Sequence, residues 1–190
     1  MTTFAAAPLT PETWADFEKV MGSNGGSRNC WCMHWRLPFA QWDAGRDGGN
    51  KRAMRARAAQ QPPPGLVCYV DGEPAGWVGI GERSEYSRLQ RSPVTKAVDD
   101  TPVWVITCLF VRHGHRRHGL QADMIEAACA FAAENGVQAV EGFPVEPAPG
   151  RKAGPDTAMT GIASAFLAAG FTEVDRRKED RPAMRRDVRG

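Results

Sequence analysis

The alternation of apolar and polar positions divides the chain into helical and extended segments. Thr10-Pro11 has the form of a helix N-cap and first helical residue, and Trp14, Phe17 and Met21 then share one helical face until Gly22. Residues 50–59 read as a second helix with a strongly basic outer side, ended by Pro62-Pro63-Pro64-Gly65. Residues 66–70 and 75–81 read as a β-hairpin around Asp71-Gly72, and residues 82–100 as a long polar connection. The run 104–111, WVITCLFV, is apolar, β-branched and aromatic, and reads as a strand that stops at Arg112. Leu120, Met124, Ala127, Ala128 and Phe131 then mark one face of a helix closed by Asn135-Gly136. A strand at 138–145, a Pro/Gly-rich loop at 147–155, a helix at 158–169 and strands at 171–176 and 183–188 complete the chain. No repeat or linker splits it, so residues 1–190 are expected to form one domain. A strand–helix–strand unit inside an otherwise antiparallel order implies a mixed, largely antiparallel α/β sheet with helices on both faces.

Composition narrows the function classes. The chain has 190 residues, 42% hydrophobic and 24% charged, and a net charge of only +2, so no global field calls for nucleic acid or a membrane. The N-terminus lacks a signal-peptide pattern, and no apolar stretch approaches membrane-spanning length. Five cysteines, an odd count, fit a cytoplasmic protein with free thiols, of which Cys68, Cys108 and Cys129 fall in expected core elements.

The chemistry concentrates between the strand at 104–111 and the helix opening at Leu120. The intervening loop carries Arg112, Arg116, Arg117, His113, His115, His118, Gly114 and Gly119. Unpaired amides at a helix N-terminus, its dipole and a glycine that admits close approach together suit a phosphate or pyrophosphate.

Within that loop Arg116-Arg117-His118-Gly119-Leu120-Gln121 resembles the Q/R-x-x-G-x-G/A acyl-coenzyme A signature of the GNAT superfamily of N-acetyltransferases, and the flanking order of strands and helices is similar throughout. The signature's last small residue is Gln121 here. Segments 30–36 and 181–186 are similar to those of a bacterial subgroup with unassigned substrate. The resemblance implies an acetyl-coenzyme A-dependent N-acetyltransferase that moves the acetyl group directly to an amine, on a small molecule or a peptide, without a metal; dimers are common in the family. It implies that Arg116, Arg117, His118, Gly119, Leu120 and Gln121 hold the cofactor. It also implies that Phe110 and Val111 pair with the pantetheine arm and polarise the thioester carbonyl. Many members carry a tyrosine acid where this chain has Phe166, which is expected to pack by the cofactor arm and donate no proton.

The remaining candidates are weaker signals. Glu141, a carboxylate in an otherwise apolar strand, is a candidate base, against the alternative of an exposed edge carboxylate; Glu82, Glu85 and Glu146 are runners-up. Cys30-Trp31-Cys32-Met33-His34 invites a zinc reading, but C-x-C is too tight and no second pair completes four ligands. Trp31, Trp35, Phe39 and Trp42 instead suggest an aromatic wall, with Trp31, Cys32 and Trp35 as candidates to line the acceptor pocket and a core plug as the equal alternative. Cys108 lacks a basic neighbour in its strand and reads as a core thiol. Two other classes stay open. One is a non-catalytic acyl-coenzyme A or nucleotide-binding module. The other is a metal- or nucleic-acid-binding regulator, although the mixed-charge tail has no aromatics suited to base stacking.

Overall fold

The computed structural model describes residues 2–116, 118–154 and 156–189. The strands β1 (Phe4–Pro8), β2 (Gly65–Val70), β3 (Glu73–Glu82), β4 (Val103–Val111), β5 (Ala139–Gly142), β6 (Thr172–Lys178) and β7 (Arg181–Asp187) form one sheet in the order β1-β2-β3-β4-β5-β7-β6. The helices are α1 (Trp14–Met21), α2 (Phe39–Ala44), α3 (Gly49–Ala58), α4 (Ser87–Arg91), α5 (Leu120–Glu134) and α6 (Ala163–Ala168). β4 and β5 run parallel, with α5 as their crossover, and the other neighbours are antiparallel.

Period-two alternation sends side chains to two cores. Leu66, Cys68, Val78 and Ile80 meet Met124, Ile125, Ala128 and Ala132 of α5 and Phe166 of α6 on one face. Val67, Trp77, Cys108 and Phe110 meet Trp14, Phe17 and Met21 of α1 and Met54 of α3 on the other. Each fully buried side chain of this size contributes about 1.5–3 kcal/mol by leaving water.

Several boundaries differ from the sequence reading, each for a local reason. β1 is an alanine-rich edge strand whose composition carries no β signal; pairing with β2 alone defines it. The first helix begins at Trp14, because the Thr13 hydroxyl takes the Thr10 amide at 2.9 Å and donates to the Pro8 carbonyl at 2.8 Å, holding residues 11–13 in a turn. The 82–100 connection contains a 3-10 turn and α4. The helix expected at 158–169 is broken: a 3-10 turn at Ala158–Thr160 precedes Gly161, with φ 88°, and α6 follows. A Cβ at Gly161 would sit 2.6 Å from the Phe166 ring and 2.7 Å from Leu109, so only glycine lets the chain turn there.

The strand expected at 138–145 stops at Gly142, and this shapes the site. β4 pairs with β5 from Val103↔Ala139 to Ile106↔Gly142 and no further, while β3 stays on β4 up to Gly76↔Val111. The Phe166 ring occupies the space where a Gly142 side chain would be. Beyond it Val145 leaves the sheet to bridge Ile162. The β3–β4 register also slips, from Gly79↔Cys108 to Ile80↔Ile106, leaving Thr107 as a bulge. β4 and β5 therefore splay apart from Thr107 onward.

Candidate active site

At the end of β4 the sequence reading meets its structural counterpart. Val111 leads into a 3-10 turn at His113–His115, and Gly119, with φ 75° and ψ 2°, opens α5. No side chain caps that helix, so its first amides are not spent on a cap. A Cβ on Gly119 would meet nothing within 4 Å, which leaves the approach to these amides open. Arg116 donates from Nε to the Val111 carbonyl at 2.8 Å and lies 5.7 Å over the Phe110 ring, fixing a cation beside the strand end. His118 is exposed, whereas Leu120 is buried and offers only its backbone. Arg117 lies outside the described residues.

Gln121 has a role of its own. Its Oε1 accepts from the Ile162 amide at 3.2 Å and its Nε2 donates to the Ala158 carbonyl at 3.5 Å. The side chain thus turns toward the 158–162 corner and ties the start of α5 to the segment beside the splay.

A cavity of about 430 Å³ opens at the splay. Ile106, Thr107 and Cys108 form its β4 side, and Phe143 stands beyond the end of β5. Cys30, Cys32, His34, Trp35 and Trp42 give it an apolar, aromatic wall, while Asp156, Thr157, Met159 and Thr160 come from the loop before α6. The Thr107 hydroxyl, on a residue 4% exposed, makes no hydrogen bond among the described residues, although the Tyr86 phenol lies close by.

The wall is built by a strained segment. Arg28, Asn29, Trp31 and Cys32 all have positive φ, between 49° and 60°. Left-handed backbone costs roughly 1–2 kcal/mol per non-glycine residue, so the surroundings must hold it. Buried Asn50 donates to the Asn29 carbonyl at 3.1 Å and the Trp42 carbonyl at 2.9 Å. Buried Arg36 donates to the Tyr86 hydroxyl at 2.9 Å and the Pro64 carbonyl at 3.2 Å, pairs with Glu85, and stacks 4.4 Å over the Tyr86 ring. Neither anchor is marked by a sequence pattern, since a lone Asn or Arg gives no sign of what it will reach.

The structure divides the acceptor candidates. Cys32 and Trp35 line the cavity. Trp31 lies instead in the core, 6.3 Å from Trp14 in a stacked pair and 6.0 Å from Phe17. Trp42, which the sequence groups with Trp31, Trp35 and Phe39 as an aromatic wall, does line the cavity, and His34, weighed from the sequence only as a zinc ligand, joins it with edge-on ring contact at 5.2 Å; Phe39 does not line it. Burial, then the charges of Arg88 and Arg28, push the His34 pKa down to about 4, so the ring is neutral at pH 7. Its Nδ1 lies 3.1 Å from Arg88 Nη1. A guanidinium only donates, so Nδ1 accepts and the ring proton sits on Nε2. The Cys108 thiol is hydrogen-bonded to Cys32, which raises its pKa and lowers that of Cys32; Cys108 is a core thiol and not an activated nucleophile.

The other candidates fall outside the cavity. Glu141 is 1% exposed, not an edge carboxylate, and sits between two guanidiniums: Arg83 at 3.2 Å, and Arg185 at 2.9 Å and 2.6 Å. Both of its oxygens are held by guanidiniums and it does not line the cavity, so it is not placed to take a proton from an amine there. Glu85 pairs with Arg36 and Arg57, Glu146 with Arg176, and Glu82 accepts from Ser84. Phe166 is fully buried against Phe171, Gly142 and Gly161, and does not line the cavity. Among the described residues no cluster of three or more His, Cys, Asp or Glu is arranged to hold a metal ion, and no helix is long and apolar enough to cross a membrane.

Splayed strands, an uncapped helix following one of them and an aromatic cavity between them make up the candidate site. The profile of the Acetyltransferase (GNAT) family matches residues 31–150, more than half of the chain, and the chain belongs to that family. It is an acetyltransferase. No curated protein matches the sequence. Solved structures share the fold at low identity. The PaiA N-acetyltransferase of Thermoplasma acidophilum in complex with coenzyme A has TM-score 0.53 and 10% identity, over 97% of this chain and 99% of that one. A GNAT-family acetyltransferase of Listeria monocytogenes has TM-score 0.55 and 11% identity, over 97% and 94%. The aminoglycoside acetyltransferase AAC(6')-Ib in complex with ribostamycin and coenzyme A has TM-score 0.55 and 14% identity, over 97% and 93%. The matches carry the family and not the bacterial subgroup.

Proposed function

We propose that the chain transfers acetyl from acetyl-coenzyme A directly to the amine of a small molecule held in the splay cavity. The observation that carries this reading is the continuity of one strand. β4 runs from the cavity at Thr107 and Cys108 to Val111, and the turn after it leads to the uncapped start of α5 at Gly119, so a donor lying along it has its reactive end beside the cavity. In this reading the first amides of α5 hold the pyrophosphate, with Arg116 and His118 around it, and Leu120 and Gln121 contribute backbone only. The edge of β4 at Phe110 and Val111 follows the pantetheine arm. The wall is Cys32, His34, Trp35 and Trp42, without Trp31.

The neutral amine attacks the thioester carbonyl, the C–N bond forms, the C–S bond breaks, and the sulfur leaves as thiolate. The fairly low pKa of a thiol lets that group leave without a tyrosine acid. The ammonium proton passes to water in the cavity, and solvent protonates the thiolate. With its proton on Nε2, His34 is a hydrogen-bond donor rather than the base. Neither Glu141 nor Phe166 has a chemical role. Small-molecule acceptors in structural relatives, such as ribostamycin on AAC(6')-Ib, support a small amine as the class. The test is thiol release from acetyl-coenzyme A across a panel of primary amines, with the product identified by mass. Failure to bind coenzyme A by calorimetry would overturn the reading.

A further inference from the structure

Charge inside the cavity is one-sided. Arg28, Lys178 and Arg181 line it against a single carboxylate, Asp156, which accepts from Ser27 at 3.1 Å. Lys178 lies 3.0 Å from Asp180. Arg28 sits 5.9 Å over the Trp42 ring, and neither it nor Arg181 forms an ion pair among the described residues.

Arg181 is the informative member. It starts β7 and is half-buried; its Nη1 is used by Thr160 Oγ1 at 2.6 Å and the Phe143 carbonyl at 3.4 Å. Its Nε and Nη2 donate to no described residue, and these two form the planar edge that takes a carboxylate with two parallel bonds. Burial works against its charge, and nearby Asp180 only partly offsets that. A half-buried guanidinium held on one side leaves its other edge available to an anion.

We infer that the acceptor is an amine that also carries a carboxylate and an apolar ring: its carboxylate meets the free edge of Arg181 and its ring packs on Trp35 and Trp42. This inference rests on the proposed acceptor role of the cavity and adds the substrate class. It separates this site from one for a polycationic aminoglycoside, which needs several carboxylates where this cavity has one. The Thr107 hydroxyl, on the β4 bulge beside the Tyr86 phenol, lines the same cavity.

The test uses the full chain loaded with coenzyme A and three probes read by calorimetry. They are indole-3-propionate (ring and carboxylate, no amine), tryptamine (ring and amine, no carboxylate) and spermidine (polycation). Indole-3-propionate is expected to bind at least tenfold tighter than tryptamine, with spermidine weakest. Arg181→Met should weaken indole-3-propionate on the order of 10–100-fold and leave tryptamine unchanged, since a charge-assisted bidentate pair has about that strength. Arg181→Lys, which keeps charge but loses the fork, should fall between, and it controls for a folding defect in Arg181→Met. Tighter binding of tryptamine or spermidine, or equal losses for both indoles in Arg181→Met, overturns the inference. Weaker coenzyme A binding in Arg181→Met also overturns it, by giving the arginine to the donor. If wild-type protein binds no coenzyme A, the acetyl-transfer reading of the cavity fails instead, whatever the indoles do.

Discussion

Replacing Glu141 with glutamine separates a base from a buried structural charge. The Glu141 side chain is 2% exposed, and its partners Arg83 and Arg185 are 14% and 17% exposed. Removing one member of a buried ion pair costs about 3–5 kcal/mol, because the remaining charge stays buried without compensation. Two features reduce that here. Glutamine keeps an acceptor oxygen at nearly the same volume, and Arg185 retains Asp99 at 2.8 Å and 2.9 Å. Arg83 has no second carboxylate among the described residues; it keeps only the Thr95 carbonyl and the Phe143 face at 5.5 Å. The expected loss is therefore about 2–3 kcal/mol, and for a chain of this length it corresponds to roughly 5–10 °C in Tm. Thermal and urea unfolding read the loss, and kcat/KM against pH reads the chemistry. If Glu141 is structural, kcat below the melting range changes by no more than a few-fold and the pH profile keeps its shape. A variant with wild-type stability and a kcat reduced by orders of magnitude, its acidic limb gone, would refute this and restore Glu141 as the base.

Three further outcomes follow from the same geometry. Gly119→Val places a β-branched residue at φ 75° with its Cβ in the open space before α5, and should weaken coenzyme A binding by about 1–3 kcal/mol; unchanged calorimetric affinity in a folded variant contradicts the anion site. His34 has a folded pKa of about 4, below its unfolded value, so the unfolded chain binds the extra proton between about pH 4 and 6.5. Stability should rise with pH across that window by at most about 2 kcal/mol, given the ring's partial exposure, and His34→Phe should flatten the slope seen in urea titrations at several pH values. Trp35→Ala should raise the acceptor KM while leaving that of acetyl-coenzyme A nearly unchanged, whereas Trp31→Ala should lower Tm without kinetic selectivity; a reversed pattern would exchange wall and core.

The strand, loop and helix proposed for the donor were largely legible in the sequence, and the cavity proposed for the acceptor was not. The strand ending at Val111, the glycine at 119 and the helix opening at Leu120 are adjacent in the chain, so local pattern alone joins them. The cavity draws its lining from residue 21 to residue 181, and its decisive contacts cross the fold: Asn50 to Asn29, Arg36 to Glu85, Arg181 to Thr160. No periodicity reports such pairs. The CWCMH cluster shows the limit. Its composition signals an unusual segment, but consecutive positive φ at Trp31 and Cys32 decides which rings face the cavity, turning Trp31 into the core while Trp35 and Trp42 line the wall. Likewise Glu141 reads as isolated only along the chain; Arg83 and Arg185 arrive from distant elements.

Phe166 shows why its ring suits this protein better than the tyrosine found in many relatives. Its ring lies under Gly142 with Cζ 2.6 Å from where a side chain would start, and its other edge lies against Gly161. A hydroxyl added at Cζ would point into that contact, where the neighbours Gly142, Gly161 and Phe171 offer no side-chain partner. Burying an unpaired hydroxyl costs roughly 1–3 kcal/mol. The apolar ring instead fills the gap left by two glycines, one ending β5 and one breaking the segment before α6. Both breaks direct the chain away from β4, and Gln121 ties the second to the start of α5 through the Ile162 amide. The splay is thus held open by packing around residue 166, and in the proposed mechanism, with no hydroxyl at that position, proton delivery to the departing sulfur falls to solvent.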